Sequence, residues 1–435
     1  MIADAYTPHS GDPRYRVLHY DLALDYRVST NRLAGVATLR VRLTRRAKHL
    51  ALDLIGMKIT KLRVGDDRRA TFAQDDRHVK ITFSDHRDEH TELTITVEYS
   101  GAPAPRRTRW GLIGWEELED GVIVASQPTG AATWFPCNDH PFDKATSRLE
   151  FTADPDYVVV SGGAATKSIQ RGRVRWTFTQ DVPTPAYLMT VQIGRYVDDT
   201  VALGEHTGRL YYPRAMAPRV HADFAALPRM MRVFEEAFGP YPQHSYKVVV
   251  TPDELEIPLE AQGMAIFGAN HVDGVGGSER LIAHELAHQW FGNSVGVAGW
   301  RDIWLNEGFA CYAEWIWSEA AGGPTAHALA VEHRRLLAGL PHDLLLRDPG
   351  AADMFDDRVY KRGAVALHAL RLTVGSARFF ALVREWTTRF AHATATTDDF
   401  LALAAESLGD AAESVLRPWL DETALPQLPR SSRSG

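Results

Sequence analysis

Apolar and polar residues alternate with a period of two from about residue 15 to residue 194. Tyr20, Leu22, Leu24, Tyr26 and Val28 interleave with Asp21, Asp25 and Arg27, the pattern of a strand with one face on a core and one in water. The alternation returns in Leu39-Val41-Leu43, Leu93-Ile95-Val97-Tyr99 and Val174-Trp176-Phe178. Turn-forming stretches such as Gly65-Asp66-Asp67 and Ser100-Gly101-Ala102-Pro103 separate these runs. The pattern predicts an all-β region. Beyond about residue 200 the period lengthens to that of helices, over 219–237, 278–292, 307–320, 325–339, 361–374 and 376–390, with one strand-like run at 246–251. Gly322-Gly323-Pro324 breaks one helix from the next, and Thr397-Asp398-Asp399 offers an N-cap and an acidic first turn to another. The second half therefore reads as α or α+β, and the closing PQLPRSSRSG as a flexible tail.

A chain of 435 residues exceeds what one core usually serves, so two or three domains are expected. With 45% hydrophobic and 24% charged residues it has ample material for packed interiors. The net charge of -7 comes without any Lys/Arg-rich run, so nucleic acid is not an expected partner. Cys137 and Cys311 are the only cysteines and lie far apart, which excludes a disulfide framework or a cysteine-based zinc site and leaves both as small packing side chains. The first residues carry no basic start before an apolar stretch, and no long apolar run follows; a cytoplasmic protein that does not enter membranes is expected.

Chemistry concentrates in 281–290, LIAHELAHQW. A helix there puts His284 and His288 one turn apart on one face, where both imidazoles can reach one zinc ion. Catalytic zinc takes three protein ligands and leaves one place for water. Glu307, separated from His288 by eighteen intervening residues and set in Trp304-Leu-Asn-Glu-Gly-Phe-Ala310, can return on the next helix as the third. Glu285 projects about 100° away from His284 around the helix, so it can act on the water as general base rather than compete for the metal. An H-E-x-x-H pentapeptide alone is weak, since His and Glu suit any exposed helix; the spaced glutamate and the Trp290-Phe291 pair make it specific. Glu314, two turns beyond Glu307, reads first as a solvated acid, with the orienting of a zinc-bound histidine as the alternative.

These stretches resemble the zinc signatures of the M1 aminopeptidases, the gluzincins that include aminopeptidase N and leukotriene A4 hydrolase. Phe135-Pro-Cys-Asn-Asp-His-Pro141 with Lys144-Ala-Thr146 resembles the same family's FPCxDxPxxKAT stretch, so the likeness spans about residues 10 to 425. The resemblance implies a saddle-like all-β domain over 1–197, a thermolysin-like zinc peptidase domain over 198–425 and a tail at 426–435. It implies one Zn2+ per chain and peptide substrates with a free N-terminus. The family reads the substrate amine with a glutamate in a G-x-M-E-N motif; the matching stretch here is Ile257-Pro-Leu-Glu-Ala-Gln-Gly263, which keeps only Glu260. Taken alone, Glu260 is a surface acid beside Asp253, Glu254 and Glu256. Counting back from Phe135 places Gln127 at a second amine-contacting position, where it also reads as a polar residue ending a strand before Pro128. Val359-Tyr-Lys-Arg-Gly-Ala364 resembles the stretch that carries a catalytic tyrosine, which makes Tyr360 the donor to the oxyanion.

The expected activity is therefore that of a zinc aminopeptidase, with Glu285 and Tyr360 catalytic, Glu260 and Gln127 binding substrate, and His284, His288 and Glu307 on the metal. Longer relatives carry a helical C-terminal domain over the site; this sequence ends before one, so a more open cleft and a monomer are expected. The alternatives are an endopeptidase, an epoxide hydrolase on the same metal, and a catalytically silent peptide-binding relative.

Overall fold

The computed structural model describes residues 3–430. The chain forms two compact units. The first runs through Thr200 and adds Arg209–Ala217 and His244–Asn270; the second holds Val201–Gly208, Pro218–Gln243 and the chain from His271 onward.

The first unit is built on a seven-stranded sheet in the order Ala164–Gln170, Arg173–Pro185, Lys144–Ala153, Tyr15–Arg27, Arg32–Leu43, Glu92–Gly101, Met57–Val64. Tyr15–Arg27 lies parallel to Lys144–Ala153 and antiparallel to Arg32–Leu43. Its inward residues change parity, from Tyr15 and Val17 to Tyr20, Leu22, Leu24 and Tyr26, because a bulge between Val17 and His19 inserts one residue into the pairing. The core of this unit gathers these side chains with Trp115, Trp134, Phe135 and Phe151. Residues 244–270 belong here because Ala261, Met264, Ile266 and Val249 pack in one cluster with Ile123, Val160, Tyr196 and Tyr211.

The stretch Phe135–Thr146 is a buried hydrogen-bond junction. Asp53 and Cys137 exchange two backbone hydrogen bonds, Asp53 Oδ2 accepts from the N–H groups of Gly11 and Asp139, and Asn138 Nδ2 donates to Asp143 Oδ2 at 2.6 Å. Asp143 in turn accepts from the N–H of Val17. Burial pushes both Asp53 and Asp143 up to about 6 against those donors. This stretch resembled a family signature in sequence; in the structure it ties the chain start to the sheet.

The second unit is helical: α1 (Ala217–Asp223), α2 (Leu227–Phe238), α3 (Glu279–Ala287), α4 (Trp304–Ala321), α5 (Ala326–Leu337), α6 (Asp357–Val374), α7 (Ser376–Arg389), α8 (Thr397–Leu408) and α9 (Asp410–Asp421). α4 and α6 begin three and four residues earlier than expected, which puts Tyr360 inside α6, and three other boundaries differ as well. The run 219–237 is two helices, because Pro228 has no N–H to continue α1 and instead suits the first turn of α2. The run 278–292 stops at Ala287, and the next N–H groups turn back so that Asn293 donates to the carbonyl of His288. The cap of α8 is Thr396 in a capping box with Asp399, while Thr397 is buried and donates its hydroxyl to Asp302 at 2.6 Å.

Two features fix the helices that carry the site. The guanidinium of Arg362 on α6 donates to the carbonyls of Trp419, Thr423, Ala424, Pro418 and Glu422, which closes the C-terminal end of α9 onto α6. Trp304, at the start of α4, donates from Nε1 to Thr397 Oγ1 at 2.9 Å. Of the expected tail, Pro426 accepts from Arg334 Nε at 2.7 Å, and 431–435 lie outside the described residues.

Candidate active site

α3 and α4 bring three donor atoms together. His284 Nε2 lies 3.6 Å and His288 Nε2 3.5 Å from Glu307 Oε2, and the three ligand atoms all fall within 4.8 Å of one another. Three ligands placed about 2.0–2.2 Å from a tetrahedral centre stand about 3.3–3.6 Å apart, so the spacing fits a zinc ion. The three side chains are 8%, 2% and 3% exposed, which keeps the donors out of competition with bulk water.

The remaining ring nitrogens settle the tautomers. His284 Nδ1 is 2.8 Å from Glu314 Oε1 and His288 Nδ1 is 3.0 Å from the carbonyl of Phe291. A carboxylate and a carbonyl only accept, so both Nδ1 atoms donate, and both Nε2 atoms, on the side of Glu307, are the ones left for a metal.

Glu314 was expected first as a solvated acid, and the structure overturns that. Its side chain is 3% exposed and accepts from Arg280 Nη1 at 2.9 Å as well as from His284, with Lys361 Nζ 4.0 Å away. Position 314 faces α3 because α4 packs against it, a fact of tertiary contact that helical spacing alone leaves open. Burial would raise Glu314, but the hydrogen bond and charge of His284 outweigh it and bring it down to about 2. Burial would lower His284, but the hydrogen bonds to Glu307 and Glu314 outweigh it and raise it to about 9. Glu307 falls to about 2 beside the two imidazoles despite its burial. The cluster thus favours positive charge at its centre.

Glu285 is buried on α3, at 4% exposure. Tyr360, in the first turn of α6, is half-buried, with its ring 6.0 Å from that of His284 and nearly parallel at 19°. Cys311 is buried and forms no disulfide; burial pushes its thiol far up, and it accepts from Lys361 Nζ at 3.4 Å.

Within the first unit the structure joins the other two expected residues. Gln127 Nε2 donates to Glu260 Oε1 at 2.7 Å. Glu260 sits on the edge strand Leu259–Ala261, opposite Ala265 of Met264–Phe267. Both are half-buried.

Comparison with known proteins decides the family. The Peptidase M1 N-terminal domain matches residues 16–188, and the Peptidase family M1 domain matches residues 223–419. The chain belongs to the M1 peptidase family. Among solved structures it is similar to an M1 zinc metallopeptidase mutant from Deinococcus radiodurans bound to a Tyr-Ser-Ala substrate, at 32% identity and a TM-score of 0.90 over 99% of both chains. It is 25% identical to a leucyl aminopeptidase of Saccharolobus solfataricus over 97% of this chain and 55% of that protein. It is 25% identical to a glutamyl aminopeptidase of Mus musculus over 96% of this chain and 48% of that protein. The chain spans about half the length of the curated relatives it matches.

Against the M1 pattern, the departure at 257–263 has a local cause. Ala261, which stands where the motif has asparagine, is 2% exposed and packs with Met264, Ile266 and Val249, a site where a side-chain amide would need its own partners. Arg280 and Lys361 escaped sequence reasoning. Arg280 did carry a signal: it lies one turn before His284 on the same helix face.

Proposed function

We propose that this M1 peptidase is a zinc-dependent aminopeptidase that removes the first residue of peptides with a free N-terminus. The observation that carries this reading is the convergence of His284, His288 and Glu307 with both Nδ1 atoms already engaged. Those three residues hold one zinc ion per chain. The chemistry zinc supplies there is acidification of a water and polarisation of the scissile carbonyl.

Glu285 takes the proton of the attacking water and passes it to the departing amine; its burial keeps competing water away. Tyr360 donates its phenolic hydrogen to the carbonyl oxygen as negative charge builds there. Glu260 pairs with the substrate ammonium. Gln127 spends its Nε2 on Glu260 and so offers its amide oxygen to the same ammonium. Fixing the ammonium sets the distance from chain end to cleaved bond. The names of the relatives, and the peptide bound to the Deinococcus mutant, support the same reading. The cytoplasm is proposed as the compartment on the two buried, unpaired cysteines, and cell fractionation tests it.

Hydrolysis of a panel of amino-acid 4-nitroanilides, with zinc measured on the same sample, tests the function. Activity should track one zinc per chain and disappear on N-acetylation of the substrate. Equal cleavage of the acetylated form would replace the exopeptidase by an endopeptidase.

A further inference from the structure

α4 and α6 carry the two halves of the proposed chemistry, Glu307 on one and Tyr360 on the other, and they meet at a pair of glycines. A Cβ built on Gly308 would stand 2.9 Å from the Cα of Gly363, and a Cβ on Gly363 would stand 2.8 Å from the Cα of Gly308. Carbon atoms normally touch at about 3.5–4.0 Å, so neither helix can carry even one methyl group at this point without moving away by about 0.8 Å. The obstacle on each side is backbone, which has no rotamer to change, and Trp304 Cε3 closes the same place at 3.4 Å and 3.6 Å from the two built positions. Neither glycine has a positive φ, so backbone conformation does not call for them. Glycine is among the poorest helix formers, and both sit buried inside 18-residue helices.

The position of the crossing is informative. Gly308 follows Glu307 directly, and Gly363 lies one turn after Tyr360. Lys361 of α6 reaches Cys311 Sγ at 3.4 Å and Glu314 at 4.0 Å one turn further along α4. The ring of Tyr360 lies 6.0 Å from that of His284. Any separation at the crossing therefore moves the tyrosine hydroxyl against the metal-binding triad by a comparable amount.

We propose that Gly308 and Gly363 are positioning residues for catalysis: their contact sets the separation of α4 and α6 that holds the Tyr360 hydroxyl within reach of the oxyanion. This rests on the tyrosine role proposed above. An oxyanion donor acts at about 2.7–3.1 Å, so a shift of about 0.8 Å takes it out of effective range while the triad keeps its metal.

The test is a double-mutant cycle on kcat with an amino-acid 4-nitroanilide, using Gly363→Ala, Tyr360→Phe and the double variant, with zinc content measured on each. Gly363→Ala should lower kcat about 10- to 100-fold with KM within about 2-fold and one zinc retained. Tyr360→Phe should lower kcat about 100- to 1000-fold. In the Tyr360→Phe background the alanine should cost less than about 3-fold, because the group it misplaces is already gone. An equal loss in both backgrounds, a loss of zinc, or a wild-type kcat for Gly363→Ala overturns the inference while Tyr360 keeps its role. If Tyr360→Phe alone leaves kcat unchanged, the tyrosine assignment falls and the inference with it. Should Gly363→Ala fail to fold, Cys311→Met wedges the same helices one turn along α4 without touching the glycines. The same cycle then reads it, with the same criteria.

Discussion

Replacing Glu314 by glutamine keeps an oxygen opposite His284 Nδ1 and removes the charge from a carboxylate that is 3% exposed. Two opposing effects follow for zinc. Losing a charged partner weakens the donor strength of Nε2, and changes of this kind lower metal affinity about 10- to 100-fold, or about 1.4–2.7 kcal/mol. In the metal-free protein, however, Glu314 also helps to raise His284 to about 9, and at pH 7.5 that proton must leave before the metal can bind. Competition of this size lowers the apparent affinity of the wild type by about 30-fold at pH 7.5 and hardly at all at pH 9.5. The variant holds the proton less tightly and so escapes part of that loss.

The ratio of the two dissociation constants should therefore depend on pH. It should be no more than a few-fold at pH 7.5 and rise toward about 10- to 100-fold at pH 9.5, where most of both proteins has lost the proton. Competition against a chromophoric zinc chelator at both pH values measures it. Calorimetry in buffers of different ionisation enthalpy should show more protons released per zinc by the wild type than by the variant at pH 7.5. A ratio that is flat or falls between the two pH values would refute the argument that Glu314 acts by charge on His284.

Three further outcomes are expected. Glu285→Gln should lower kcat by about 100- to 10,000-fold with zinc content unchanged, and a variant that keeps a tenth of the activity contradicts its role as base. Arg362→Met strips five carbonyls around the end of α9 of their buried cationic donor, so it should destabilise the second unit by about 3 kcal/mol or more, seen as a melting temperature about 6–12 °C lower; an unchanged melting curve rules out the clamp. Asp53 and Asp143 bind protons more tightly folded than unfolded, with folded values of about 6 against an ordinary 3.8. Stability therefore falls as pH rises from 5 to 7, and the urea midpoint of the zinc-loaded protein should drop over that range; a rising midpoint would mean that these two acids do not dominate.

What could be read from the sequence was whatever depends on spacing along one element. His284 and His288 are a ligand pair because they are four residues apart on a helix, and Glu307 joins them because its motif starts the next one. The inward residues of Tyr15–Arg27 follow from period two as far as the bulge, where a change of parity is visible only if the pairing is known. Gln127 and Glu260 are 133 residues apart, and only the family pattern put them in one list before their hydrogen bond was seen.

Glu314 marks the other limit. Its seven-residue distance from Glu307 gives the right face, yet that spacing describes a solvated acid equally well until α3 is packed against α4. What decides between them is charge. A carboxylate at 3% exposure is tenable only with several donors, and here Arg280, His284 and Lys361 all converge on it. A basic residue one turn before the first histidine, an acid two turns after the ligand glutamate and a lysine beside the tyrosine each look ordinary alone. Together they describe one carboxylate held for one imidazole, and that correlation across three helices is what a single sequence does not display.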